Sequence, residues 1–113
     1  MAVKDIPWAA GILEGEGCFS MHKRKGKEYY QCAIHCEMTD EDTIISLQKA
    51  LGVGRVSQRE ARGVRKPTWI LSIQRQKDIF DTLIRVMPYL GDRRLSKASD
   101  MFKYLEEIVC ARS

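Results

Sequence analysis

The sequence holds no apolar run longer than a few residues, so nothing approaches the roughly 20 apolar positions of a membrane-spanning helix. Low-complexity tracts and internal repeats of about 20 residues or more are absent too, which excludes solenoid and fibrous arrays. Residues Met1 to Asp5 lead straight into a helix signal with no apolar signal-peptide core, the expectation for an intracellular protein. Four cysteines occur, at 18, 32, 36 and 110, yet none forms a CxxC pair. Cys32 and Cys36 share one face of an expected strand and His35 falls on the other, so the set reads as reduced core thiols rather than disulfides or a zinc site.

What is present is a globular composition, 44% hydrophobic and 30% charged, in 113 residues that fit a single domain over 1–113. A chain of this length buries roughly two thirds of its unfolded surface and folds without staples. The net charge is +4 and the pI about 9.0. The positive charge gathers at Lys23-Arg24-Lys25-Lys27, at Arg55-Arg59-Arg62-Arg65-Lys66 and at Arg93-Arg94-Lys97. Such grouping suits a nucleic acid or another anionic surface better than scattered charge does.

Periodicity orders the elements. Asp5 and Pro7 open a helix over about Ile6 to Glu14, with Gly15 and Gly17 as its stop. Alternation from Cys18 to Arg24 sets Phe19 and Met21 on one face and Cys18, Ser20, His22 and Arg24 on the other. A turn over Lys25 to Glu28 leads to a return strand, Tyr29 to Met38. It sends Tyr30, Cys32, Ile34, Cys36 and Met38 one way and Gln31, Ala33, His35 and Glu37 the other. Thr39 to Asp42 caps a helix through Leu51, with Ile44, Leu47, Ala50 and Leu51 as its stripe. A second hairpin pairs Arg55–Arg59 with Thr68–Gln74 around a basic loop at Gly63, and Trp69, Leu71 and Ile73 alternate with Thr68, Ile70, Ser72 and Gln74. Helices over about Lys77–Met87, stopped by Pro88, and Ser96–Cys110 complete the chain. The predicted fold is α+β, in the order α-ββ-α-ββ-α-α: a four-stranded antiparallel sheet covered by helices on one face. Its open face would carry Ser20, His22, Arg24, Gln31, Ala33, His35, Glu37, Arg55, Ser57, Arg59, Thr68, Ile70 and Ser72, a mixture of donors and acceptors suited to base edges in a major groove.

Two features of the first helix call for a partner. Glu14 and Glu16 stand where a helix end disfavours acids by roughly 0.3–1 kcal/mol each, and a divalent cation would offset this by accepting carboxylates and exposed carbonyls together. Being two apart, at about 200° around the helix, the pair cannot form one carboxylate site within a chain. Gly11 and Gly15 each cost about 0.5–1 kcal/mol relative to alanine, and with Ala10 they form a smooth strip for close approach of another backbone. A second copy related by a twofold axis would bring two Glu16 carboxylates together as a symmetric metal site, the arrangement needed to cut both strands of a duplex.

Residues Ala9 to Gly17 resemble the LAGLIDADG motif, with Glu at both acidic positions, Trp8 before and Phe19 just after. The resemblance runs along almost the whole chain, through the α-ββ-α-ββ-α-α order, Leu51-Gly52-Val53-Gly54, Trp69-Ile70-Leu71-Ser72-Ile73 and Pro88-Tyr89-Leu90. It implies a homing endonuclease of the single-motif, homodimeric type, commonly encoded in an intron or intein. Such a protein would cut a long, roughly palindromic double-stranded DNA target with Mg²⁺, for which Mn²⁺ can substitute. The resemblance places the metal-binding acid on Glu16 with the Gly15 carbonyl beside it, and the dimer interface on Trp8, Gly11, Ile12, Glu14 and Gly15. A residue ordering active-site water falls on Asp40, and a cation facing the scissile phosphate on Arg93 or Arg94, with Lys97 third. An arginine stays protonated and cannot be a general base, which leaves water or metal hydroxide as nucleophile. The family usually carries Asp where Glu16 stands; Glu reaches one methylene further and is still an oxygen ligand. That departure keeps open a nucleic-acid-binding protein of the same fold without nuclease activity, such as a maturase or regulator. A third reading, a small dimerising or metal-binding module that never touches nucleic acid, conflicts with the basic open face.

Overall fold

The computed structural model describes residues 5–26, 28–61 and 63–111. Lys27 and Arg62, counted above among the basic clusters, lie outside the described residues, as do Met1 to Lys4.

The first helix, α1, spans Ile6–Glu16. Asp5 caps it by accepting the Trp8 N–H at 3.1 Å, with Pro7 in the first turn. The helix ends two residues later than the sequence suggests, because neither Gly15 nor Glu16 leaves the helical conformation. Gly17 alone does the stopping: it is extended (φ −81, ψ 159), not left-handed, and it opens the first strand, β1, Gly17–Lys23. A Cβ there would lie 2.6 Å from the Leu13 carbonyl oxygen, so the abrupt step from helix to strand requires glycine.

β1 pairs with β2, Tyr30–Met38, in an antiparallel register that sets Gly17 opposite Cys36 and Lys23 opposite Tyr30. Helix α2, Glu41–Leu51, follows and closes on left-handed Gly52 (φ 73). The second hairpin joins β3, Arg55–Arg59, to β4, Thr68–Ile73. β4 then pairs with β2, giving one antiparallel sheet in the order β1-β2-β4-β3. The expected α+β architecture with a four-stranded antiparallel sheet is what the chain adopts.

Helix α3, Gln76–Val86, gives way to a single 3₁₀ turn at Met87–Tyr89, so Pro88 sits inside that turn and does not simply end the helix. The last helix, α4, spans Asp92–Ala111 and begins four residues before the expected Ser96. The Gly91 carbonyl accepts the Leu95 N–H at 2.8 Å, which starts the helix there. Arg93 and Arg94 therefore join Lys97 on helical turns, where their spacing is fixed. No described helix is long and apolar enough to cross a membrane.

The core lies between the helices and one sheet face. Phe19, Ile34, Cys36, Leu71 and Ile73 meet Ala9, Ala10 and Leu13 of α1, Ile44, Leu47 and Leu51 of α2, Ile79, Leu83 and Val86 of α3, and Ala98, Met101 and Leu105 of α4. Tyr30, expected on the apolar face, is exposed, and its ring meets Tyr104 edge-on at 5.3 Å. Of the four cysteines only Cys32 and Cys36 belong to the core; Cys18 and Cys110 are exposed.

Candidate nucleic-acid interface and acidic helix end

Pairing aligns the open face into rows. Cys18, His35, Ser72 and Arg55 lie opposite one another across all four strands. Glu37, Ile70 and Ser57 form a second row across three strands, and His22–Gln31, Ser20–Ala33 and Arg59–Thr68 are further opposed pairs. The strand residues named from alternation thus share one face. Arg24 sits just past β1, its guanidinium 3.4 Å from the Tyr29 hydroxyl. Ala33 is buried at 8% exposure, since an inner strand and a short side chain leave it little surface for a ligand. Glu37 is held at both oxygens, by Arg59 at 3.4 Å and by the Thr68 hydroxyl.

Two further features of this side were not singled out from the sequence. Cys18 is exposed in the same row as His35, a position alternation assigned without giving it a role. Arg55 and Arg75 line a hollow of about 480 Å³ with Gln74, Ser57 and Asp78. It forms where β3 meets the start of α3, an adjacency that local pattern does not encode.

At the end of α1 the two glutamates divide. The Glu14 carboxylate accepts the Gly91 N–H at 3.1 Å, and the Glu14 carbonyl accepts from the Arg94 guanidinium at 3.2 Å. Glu14 and Arg94 therefore tie α1 to the start of α4 within one chain. Glu16 is exposed, one residue before β1. Its charge reaches the core: burial, with Glu16 adding to it, pushes the Cys36 thiol up to about 11. Burial likewise raises Cys32. Both thiols remain protonated near neutrality and so make poor metal ligands.

Arg93 and Lys97 project from one side of α4 and line a hollow of about 340 Å³ with Met21, Ser96 and Asp100. The alternative between Arg93 and Arg94 thus has a structural counterpart: Arg94 is half-buried and engaged, whereas Arg93 is exposed. Asp40 is exposed beyond β2 at the cap of α2, where it accepts from the Thr43 hydroxyl.

On α1, Gly11 and Gly15 face outward, and a Cβ at either would meet nothing of this chain within 4 Å. Trp8 and Ile12 are half-buried beside them. Among the described residues no three His, Cys, Asp or Glu side chains converge on a site that could hold a metal ion. Glu16 with the Gly15 carbonyl, which has no intrahelical donor by its place in the last turn, is a hard oxygen donor set that fits Mg²⁺ but is small for one chain alone.

A family model described as LAGLIDADG endonuclease matches residues 9–107. No curated protein matches the chain. Among solved structures, the homing endonuclease I-CvuI in complex with its target superposes with a TM-score of 0.74 at 18% identity, over 95% of this chain and 69% of that one. The homing endonuclease I-TnaI gives 0.70 at 19% identity, over 93% and 74%. I-GzeII in complex with its DNA target gives 0.78 at 21%, over 99% of this chain and 39% of that chain. At these identities the likeness establishes the fold.

Proposed function

The chain belongs to the LAGLIDADG endonuclease family, and on that premise we propose that it is a homodimeric, site-specific double-strand DNA endonuclease. It acts inside the cell, wherever the host DNA resides, and hydrolyses phosphodiester bonds with Mg²⁺, which Mn²⁺ can replace. The observation that carries this reading is the direct step at Gly17, which ends α1 on the exposed Glu16 immediately before the edge strand of the four-stranded sheet. The homologous folds seen bound to DNA targets support the same reading.

Each sheet would lie in a major groove and read base edges through its rows of donors and acceptors. Two chains would meet along α1, with Gly11 and Gly15 at the closest approach and Trp8, Ile12 and the Glu14 turn around them. A twofold dimer requires a long, pseudo-palindromic target, cut across the intervening minor groove to leave staggered ends. Glu16 and the Gly15 carbonyl would hold the metal, completed by their counterparts in the second copy. When bound, the ion supplies charge stabilisation to the phosphoryl oxygens. Arg93 and Lys97 steady phosphate charge, the arginine being excluded as a base, Arg94 positions the helix end, and Asp40 orders water near the break.

The test is cutting of a randomised symmetric duplex library by the purified protein in Mg²⁺ or Mn²⁺, read by sequencing the ends. No cutting and no binding defeats this reading. Tight binding without metal-dependent cutting favours the second one, a nuclease-inactive maturase or regulator of the same fold, which the Glu at position 16 supports.

A further inference from the structure

A carboxylate on a face meant for a polyanion repels it, and Glu37 stands in the middle of that face. Each of its oxygens has a partner: one forms an ion pair with the Arg59 guanidinium at 3.4 Å, the other accepts from the Thr68 hydroxyl. The three side chains come from three adjacent strands, with Thr68 directly opposite Arg59 and Glu37 opposite Ile70 on the next strand. The acid's charge is therefore matched within the protein by Arg59. Arg59 keeps 61% of its side chain exposed, and the contact uses a single terminal nitrogen, so most of its five donors remain free. The hollow of about 70 Å³ among Glu37, Arg59, Glu60, Arg65, Lys66 and Thr68 is too small for a nucleotide, so a base would meet the exposed part of Arg59.

We propose that Glu37 is a positioning residue that holds the Arg59 guanidinium as a fixed fork for guanine, placing one arginine-read guanine in each half of the DNA target. This rests on the DNA-binding reading above. The matching geometry is bidentate donation from the fork to O6 and N7 of guanine. An arginine already held in the free protein loses less side-chain freedom on binding than one recruited from solvent. Arg55 provides the contrast. It shares strand and face with Arg59, yet among the described residues no hydrogen bond or ion pair holds it. A cation of that kind suits phosphate, which needs charge but no fixed angle.

The experiment selects bound duplexes from a symmetric randomised library in Ca²⁺ and sequences them, for the wild type and for Glu37→Gln, Arg59→Ala and Arg55→Ala. The wild type should enrich a guanine at one position per half-site, and Arg59→Ala should lose it. Glu37→Gln should weaken that preference about tenfold at that position and leave the preferences at the other positions as they are. A merely structural role for Glu37 would lower binding at every position alike. Arg55→Ala should weaken all sequences evenly. Wild-type enrichment with an unchanged profile for Glu37→Gln overturns the assignment and leaves the DNA-binding reading intact. No enrichment by the wild type overturns both.

Discussion

Two outward surfaces of this chain differ in their chemistry. The open sheet face carries serine, histidine, glutamine and arginine in cross-strand rows, and it is wet. The outer side of α1 carries Gly11 and Gly15 beside half-buried Trp8 and Ile12, and neither glycine brings a side chain to it. A polar, basic face suits a charged, hydrated ligand; a smooth apolar stripe suits another protein backbone. Glu16 lies where the two surfaces meet, at the junction of α1 and β1. A half-site shared between two chains and a duplex belongs at that corner.

The difference can be broken from either side. The largest effect is expected from Gly11→Leu. A side chain there meets nothing in its own chain, so the protomer should fold, but the close approach should be lost and the dimer should dissociate to the 13.0 kDa chain. Sedimentation velocity checks this, and a dimer of unchanged affinity would contradict it. Gly17→Ala should instead damage the protomer itself, by about 1–3 kcal/mol, since its Cβ would press on the Leu13 carbonyl. Chemical denaturation of the variant measures that loss.

A smaller effect concerns pH. The folded Cys36 thiol titrates near 11 against an ordinary 9.0, so the folded state keeps a proton that the unfolded state releases. Its contribution to stability is complete below about 9 and fades as pH rises through about 11. Cys36→Ala should therefore flatten the fall in stability across that window, whatever it costs at neutral pH; denaturation midpoints at pH 8, 9 and 10 would show it. The smallest effect belongs to the sheet face. Arg55→Ala should reduce the salt slope of DNA binding by about one, with little change in base preference.

The strands were legible because alternation is a local signal, and both hairpins closed as it implied, with Tyr30 and Ala33 departing from the exposure their faces suggested. Helix ends were less so. Gly15 reads as a stop, yet glycine tolerates helical angles, and α1 ends where Gly17 turns extended in a place that leaves no room for a Cβ over Leu13. The early start of α4 was missed because the expected helix was begun at Ser96, past Asp92, Arg93 and Arg94, although arginine is a good helix former. The division between Glu14 and Glu16 had only half a signal. Spacing showed that they cannot act as one site, but the tie from Glu14 to Gly91 joins residues 77 apart, beyond any local pattern.

The central claim is that Glu16 is the acid on which cutting depends, shared across two chains. Its most direct measurement compares wild type with Glu16→Gln on the selected target, reading binding in Ca²⁺ and cleavage in Mg²⁺. The account predicts retained binding and a retained dimer with no cleavage by the variant, and single-strand nicks when the two proteins are mixed. Double-strand cutting by the variant at the wild-type rate would contradict it.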